Sequence, residues 1–136
     1  MDIQRYEDAH VEILGQIETL RSLIRAGIVE KSGDIAALLV NIASGIKFHL
    51  AAEDRVLYPA FAASGDPAAK ALGQKYQDEM QDISTGFAGL VLQWRVGSRI
   101  VADPEGFRAH ANTVFKALFE RLMREERELY PVAKQL

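Results

Sequence analysis

The chain has 136 residues, 49% of them hydrophobic and 26% charged, with no cysteine and a net charge of −3. This is enough for one domain with a sizeable core. It excludes a disulfide framework, a thiolate metal site and a thiol nucleophile, and it gives no electrostatic case for nucleic-acid binding. No charged-then-apolar leader opens the sequence, and no uninterrupted apolar run reaches the length of a bilayer span. The expectation is a cytoplasmic protein with no membrane partner.

Apolar residues recur in steps of three and four, never in strict alternation, so the long elements read as helices. The first carries Tyr6, His10, Ile13, Ile17, Leu20 and Ile24 on one seam and is followed by Gly27. SGD at 32–34 is a turn that can start the second helix, whose seam is Ile35, Leu39, Ile42, Ile46, His49 and Glu53. Pro59 lacks an N–H and should disturb or end it. SGDP at 64–67 offers Asp66 as N-cap and Pro67 as the first residue of a third helix. Its seam is Tyr76, Met80, Ile83, Phe87, Leu90 and Trp94. The longest connection runs from Trp94 to Pro104, where ADP repeats the start signal with Asp103 as cap. The fourth seam is Phe107, Ala111, Val114, Leu118, Arg121 and Glu125. Short links make neighbouring helices antiparallel, so the expected fold is an all-α, up-down-up-down four-helix bundle over residues 1–136.

The chain also repeats itself. KFHLAAEDRVLYP at 47–59 returns as FERLMREERELYP at 119–131, 72 residues on, with six of thirteen positions identical. The first and third seams match at an offset of 70, pairing Tyr6 with Tyr76 and His10 with Met80. Two helical hairpins related by a pseudo-twofold axis account for both offsets. The second copy has Arg121 where the first has His49.

Five seam positions are polar where apolarity is expected: His10, His49, Glu53, Arg121 and Glu125. In an antiparallel bundle these positions and Met80 fall at one end, in one inward-facing layer. Charges on a core seam are costly unless paired or bound to metal. His49 and Glu53, four apart, stand on one helix face and can reach one ion, with His10 arriving from the neighbouring helix. Two imidazoles and a carboxylate suit iron, manganese or zinc in the divalent state. The competing reading is structural: a core histidine satisfied by a carboxylate, and an Arg121 fork that clamps Glu53 and Glu125 without metal.

With DAHVEIL in the first helix, HLAAEDRVLYP in the second and REERELYP in the fourth, nearly the whole chain resembles the hemerythrin family of HHE cation-binding domains. That resemblance implies a four-helix bundle with a non-haem, usually di-iron, centre. It implies a metal ion as partner, and O2 or NO binding, sensing of these or of iron, or iron handling; an iron enzyme using a two-His-one-carboxylate site is the weaker reading, with no organic substrate indicated by the sequence. His10, His49 and Glu53 carry over by motif, and Glu125 carries over if the fourth helix keeps the HxxxE spacing. Some oxygen carriers use one residue more, which points to Glu126; Glu126 turns about 100° off the seam, which favours Glu125. The family's histidines of the third and fourth helices are replaced here by Met80 and Arg121. A guanidinium would put a fixed charge where a second iron sits, so the expected site holds iron or another divalent ion, mono- or dinuclear, or no metal at all.

Met80 reads as core, since a thioether is a poor ligand for hard iron. Tyr6 and Tyr76 flank the layer, as core tyrosines or as hydroxyl donors to a bound ligand or to the glutamates. Gln77 and Glu79 lie off the seam and are reserve ligands at best. His110 is about 16 Å along the helix from Arg121 and reads as a surface histidine.

Overall fold

Gly27 takes φ 134°, a backbone region that L side chains rarely adopt, and so closes α1 (Gln4–Ala26). The computed structural model describes all residues 1–136. The chain continues through α2 (Ser32–Ala52), α3 (Tyr58–Ala62), α4 (Pro67–Trp94), α5 (Gly97–Ala102), α6 (Pro104–Arg124) and α7 (Tyr130–Ala133), with no strand. Asp66 caps α4 by accepting from Ala68 N–H at 3.0 Å, and Asp103 caps α6 by accepting from Gly106 N–H at 3.0 Å. Both caps are followed by proline at the first helical position.

Neither Pro59 nor Pro131 ends its helix. The Tyr58 N–H bonds the Glu53 carbonyl, five residues back, making one wide π turn over Glu53–Leu57 between α2 and α3. Tyr130 N–H does the same to the Glu125 carbonyl over Glu125–Leu129, between α6 and α7. The cause is local. A proline has no N–H for the carbonyl four residues back, and its ring collides with that carbonyl in a regular turn; an extra residue in the turn relieves the collision. The consequence is a rotation. In a regular helix Tyr58 would lie about 140° from Glu53, at 100° per residue. The wide turn brings both to the inner face, and Glu53, Tyr58, Glu125 and Tyr130 are all buried.

The four seams point inward as their spacing predicts. Ile24, Met80, Ile83 and Val114 are half-buried and every other seam residue is buried. The apolar core falls into two clusters. The larger runs from Ile13 to Leu122 through Ile35, Leu90 and Phe107; the smaller gathers Ile3, Tyr6, Leu57, Tyr58, Phe61, Tyr76, Leu129 and Tyr130. Met80 packs against both, at the level of the polar layer between them.

Two details were not read from the sequence. The connection after Trp94 is not structureless: α5 buries Ile100 completely, and Gly97 lies on the backbone of α2, where an added Cβ would stand 3.2 Å from Gly33 N. The continuous helix Ser32–Ala62 is also longer and more apolar than its individual runs suggested. Its 31 residues include an 18-residue window of mean hydropathy 1.6, long and apolar enough to cross a membrane, although here its inner face is a seam of the bundle core.

Candidate metal centre

Tyrosines aside, the buried polar or charged side chains of this protein are His10, His49, Glu53, Arg121 and Glu125, the same five that break the apolar seams. α1, α2 with its π turn, and α6 with its π turn bring them to one level. Burial without pairing would cost several kcal/mol per charge, so their contacts decide what the layer is.

His10 is held by its outer nitrogen. Nδ1 faces Glu126 Oε1 at 3.1 Å. A carboxylate only accepts, so Nδ1 carries the hydrogen and a neutral His10 presents a bare lone pair at Nε2. Three atoms crowd that lone pair: Glu125 Oε1 at 3.0 Å, His49 Nε2 at 3.1 Å and the Tyr130 hydroxyl at 2.9 Å. His49 Nε2 in turn lies 3.6 Å from Glu53 Oε2, 3.6 Å from Glu125 Oε1 and 3.5 Å from the Tyr130 hydroxyl. One lone pair accepts one hydrogen bond. A proton on Nε2, or a cation among these atoms, is what such crowding calls for.

The carboxylates divide the labour. Burial, and then the negative charge of Glu125, push the Glu53 carboxyl well above the usual range. Burial also opposes ionisation of Glu125, but the His10 and His49 imidazoles and the Glu53 carboxyl that face it, and the charge of Arg121, outweigh it and hold Glu125 below the usual range. Ionisation in the layer is thus favoured at Glu125, which faces both imidazoles, over Glu53.

Arg121 does not form the two-carboxylate clamp of the competing reading. Its Nη2 donates to the Tyr58 hydroxyl at 2.6 Å and its Nε lies 3.5 Å from Glu125 Oε2, but it makes no ion pair with Glu53. The guanidinium rests on the Tyr76 ring, 4.6 Å from its centroid. By the internal repeat Arg121 corresponds to His49, Tyr58 to Tyr130, Glu53 to Glu125 and Met80 to His10. One half of the layer thus offers two imidazoles, a carboxylate and a phenol. The other offers a thioether, a guanidinium, the Glu53 carboxyl and a phenol already engaged by the guanidinium.

The remaining sequence candidates fall outside the donor cluster. The Tyr76 hydroxyl has its one hydrogen to give to either of two acceptors, Glu128 Oε2 at 3.1 Å or the Arg124 carbonyl at 3.2 Å, and is turned away from the layer. Glu79 is taken by Arg124 Nη1 at 2.8 Å, and Gln77 donates to Asp54 at 3.1 Å, so neither serves as a reserve ligand. Tyr6 packs against the rings of His49 and Tyr130 and keeps its buried hydroxyl unpartnered. His110 is not a surface histidine: half-buried, it accepts from Trp94 Nε1 at 2.9 Å. Glu126, 40% exposed, orients His10 from outside while Glu125 points in. Sequence reasoning missed Tyr58 and Tyr130. The signal was present, since both tyrosines are among the six identities of the repeat, but seam periodicity put them off the inner face.

Whether these residues suit a metal is a question of donor spacing. Ligands about 2.0–2.2 Å from one ion stand about 3.0 Å apart at right angles and about 3.5 Å apart at a tetrahedral angle. Nε2 of His10, Nε2 of His49 and Oε1 of Glu125 are separated by 3.0, 3.1 and 3.6 Å. They form a buried group able to hold an ion. Compared with known proteins, residues 1–133 match the model of the Hemerythrin HHE cation binding domain. No curated protein and no solved structure gives a match.

Proposed function

As the chain belongs to the hemerythrin HHE cation-binding family, we propose that it holds one non-haem iron ion in the half-layer of His10, His49 and Glu125, with Glu53 at its edge, and serves to bind or sense the metal or a small diatomic ligand. The observation that supports this reading is the convergence on His10 Nε2, where two nitrogens, a carboxylate oxygen and a hydroxyl meet at ligand-to-ligand distances. Two imidazoles and a carboxylate are a donor set for ferrous iron. When bound, iron would supply a Lewis-acidic centre with coordination positions left for O2 or NO.

The other residues have definite tasks under this reading. Glu126 fixes the tautomer of His10. Arg121 balances the charge of Glu125 and, as a fixed cation in the other half, disfavours a second ion there. The apolar clusters on either side shield the layer from bulk water. A cleft of about 270 Å³ between α1 and α2, lined by Gln16, Gly45 and Phe48 among others, reaches His49 and offers a small ligand a way in.

The test is metal analysis of protein purified from iron-supplemented cells, with melting temperature followed as iron is added. Iron near one equivalent, with stabilisation that His49→Ala and Glu125→Gln abolish, is the expected outcome. Less than about a tenth of an equivalent of any transition metal, with no stabilisation, would sink the proposal and favour a metal-free interaction bundle held together by Arg121.

A further inference from the structure

We propose that Tyr130 is a fourth protein ligand of the iron, bound as phenolate, and that it tunes the site toward the ferric ion. The inference rests on the iron reading above and adds a donor that the histidine and carboxylate motifs do not contain.

The geometry is that of the other donors. The Tyr130 oxygen stands 2.9 Å from His10 Nε2, 3.5 Å from His49 Nε2 and 3.0 Å from Glu53 Oε2. These are the separations expected between ligands of one ion with bonds of about 2.0–2.2 Å. Two acceptors, His10 Nε2 and Glu53 Oε2, face a hydroxyl that has one hydrogen, so one of them is always left without a donor from it. A cation in place of that hydrogen is shared by all.

No other tyrosine is so placed. Tyr58, its counterpart in the repeat, accepts from Arg121 Nη2 at 2.6 Å. Tyr76 is turned toward Glu128 and the Arg124 carbonyl. The Tyr6 hydroxyl is buried but meets no polar atom at all. Tyr130 reaches the layer because the π turn before Pro131 rotates it to the inner face, so the backbone itself aims this side chain at the layer.

The chemistry of the donor sets the preference. Phenolate is a hard, anionic oxygen ligand and matches a hard trivalent ion better than imidazole does. Binding forms an iron–oxygen bond, breaks the phenol O–H bond and releases one proton to solvent. No electron moves when the iron is supplied as ferric.

The experiment adds ferric iron as a labile chelate to the intact metal-free chain. Iron content is read together with the visible phenolate-to-iron charge-transfer band and the resonance-Raman ring modes of a coordinated phenolate. The wild-type chain should take up iron and show both signatures. Tyr6→Phe and Tyr58→Phe should keep them. Tyr130→Phe should lose them and bind ferric iron at least about tenfold more weakly. Iron uptake by the wild-type chain without those ring modes overturns the phenolate ligand and leaves the iron site standing. Retention of the modes in Tyr130→Phe overturns it as well. No uptake of ferric or ferrous iron by the wild-type chain overturns both readings. The ring modes are read on the wild-type chain, so a Tyr130→Phe variant that fails to fold does not remove the test.

Discussion

Arg121 donates to the Tyr58 hydroxyl at 2.6 Å, and by the internal repeat this bond is the counterpart of His49 Nε2 facing the Tyr130 hydroxyl at 3.5 Å. The same pair of positions is thus occupied by a closed cation–phenol contact in one half of the layer and by an open imidazole–phenol contact in the other. That difference makes an internally repeated fold into an asymmetric site.

Removing Arg121 should expose what it balances. Arg121→Ala leaves the buried Glu125 carboxylate without its cation and Tyr58 without its donor, and should destabilise the metal-free protein by about 3 kcal/mol in urea unfolding. Arg121→Met, which keeps the volume but not the charge, should lie between the two. Equal stability of all three chains would mean that the guanidinium balances nothing.

Restoring histidines at both replaced positions should convert the second half of the layer. Met80→His with Arg121→His places two imidazoles opposite Glu53 as His10 and His49 stand opposite Glu125. Bound iron per chain should rise from about one to about two, measured by elemental analysis. If it stays at one, Arg121 is not what limits the nuclearity.

The tyrosines should resist alkali until the fold gives way. Burial raises all four, and Tyr76 is pushed up to about 12 by burial first and then by its hydrogen bond to Glu128 and that group's charge. A phenol whose folded pKa lies above its unfolded value of about 10 contributes stability that is fully present below the unfolded value and is lost as pH rises through the folded one. In the metal-free protein, tyrosinate absorbance should therefore stay low at a pH slightly above the ordinary phenol range and then rise together with loss of helical circular dichroism. Tyrosinate appearing while the helix signal is intact would contradict the burial.

Gly73 sets the distance between α3 and α4. An added Cβ would collide with the Cβ and ring of Phe61. Gly73→Ala should cost about 2 kcal/mol by overpacking, despite alanine's better helix propensity. An unchanged or raised melting temperature would show that Phe61 can move aside.

Much of the architecture was legible because it is local or periodic. Asp66 and Asp103 announce two helix starts through cap chemistry that involves only the next few residues. The seams announce which faces are buried, because a step of three or four residues maps directly onto one side of a helix. The polar layer was legible too: once short links make the helices antiparallel, His10, His49, Glu53, Arg121 and Glu125 have only one level at which to meet.

What the layer does with those residues was decided by the tertiary structure. Periodicity at 3.6 residues per turn carries Tyr130 off the inner face, and only the π turn before Pro131 brings it back to 2.9 Å from His10. The partner of Arg121 turned out to be Tyr58 rather than Glu53, and Glu126 turned out to hold His10 from outside. Those outcomes depend on distances between side chains on different helices. The composition and spacing of one chain determine which residues share a face; a few tenths of an ångström across the bundle determine which of them share a proton or an ion.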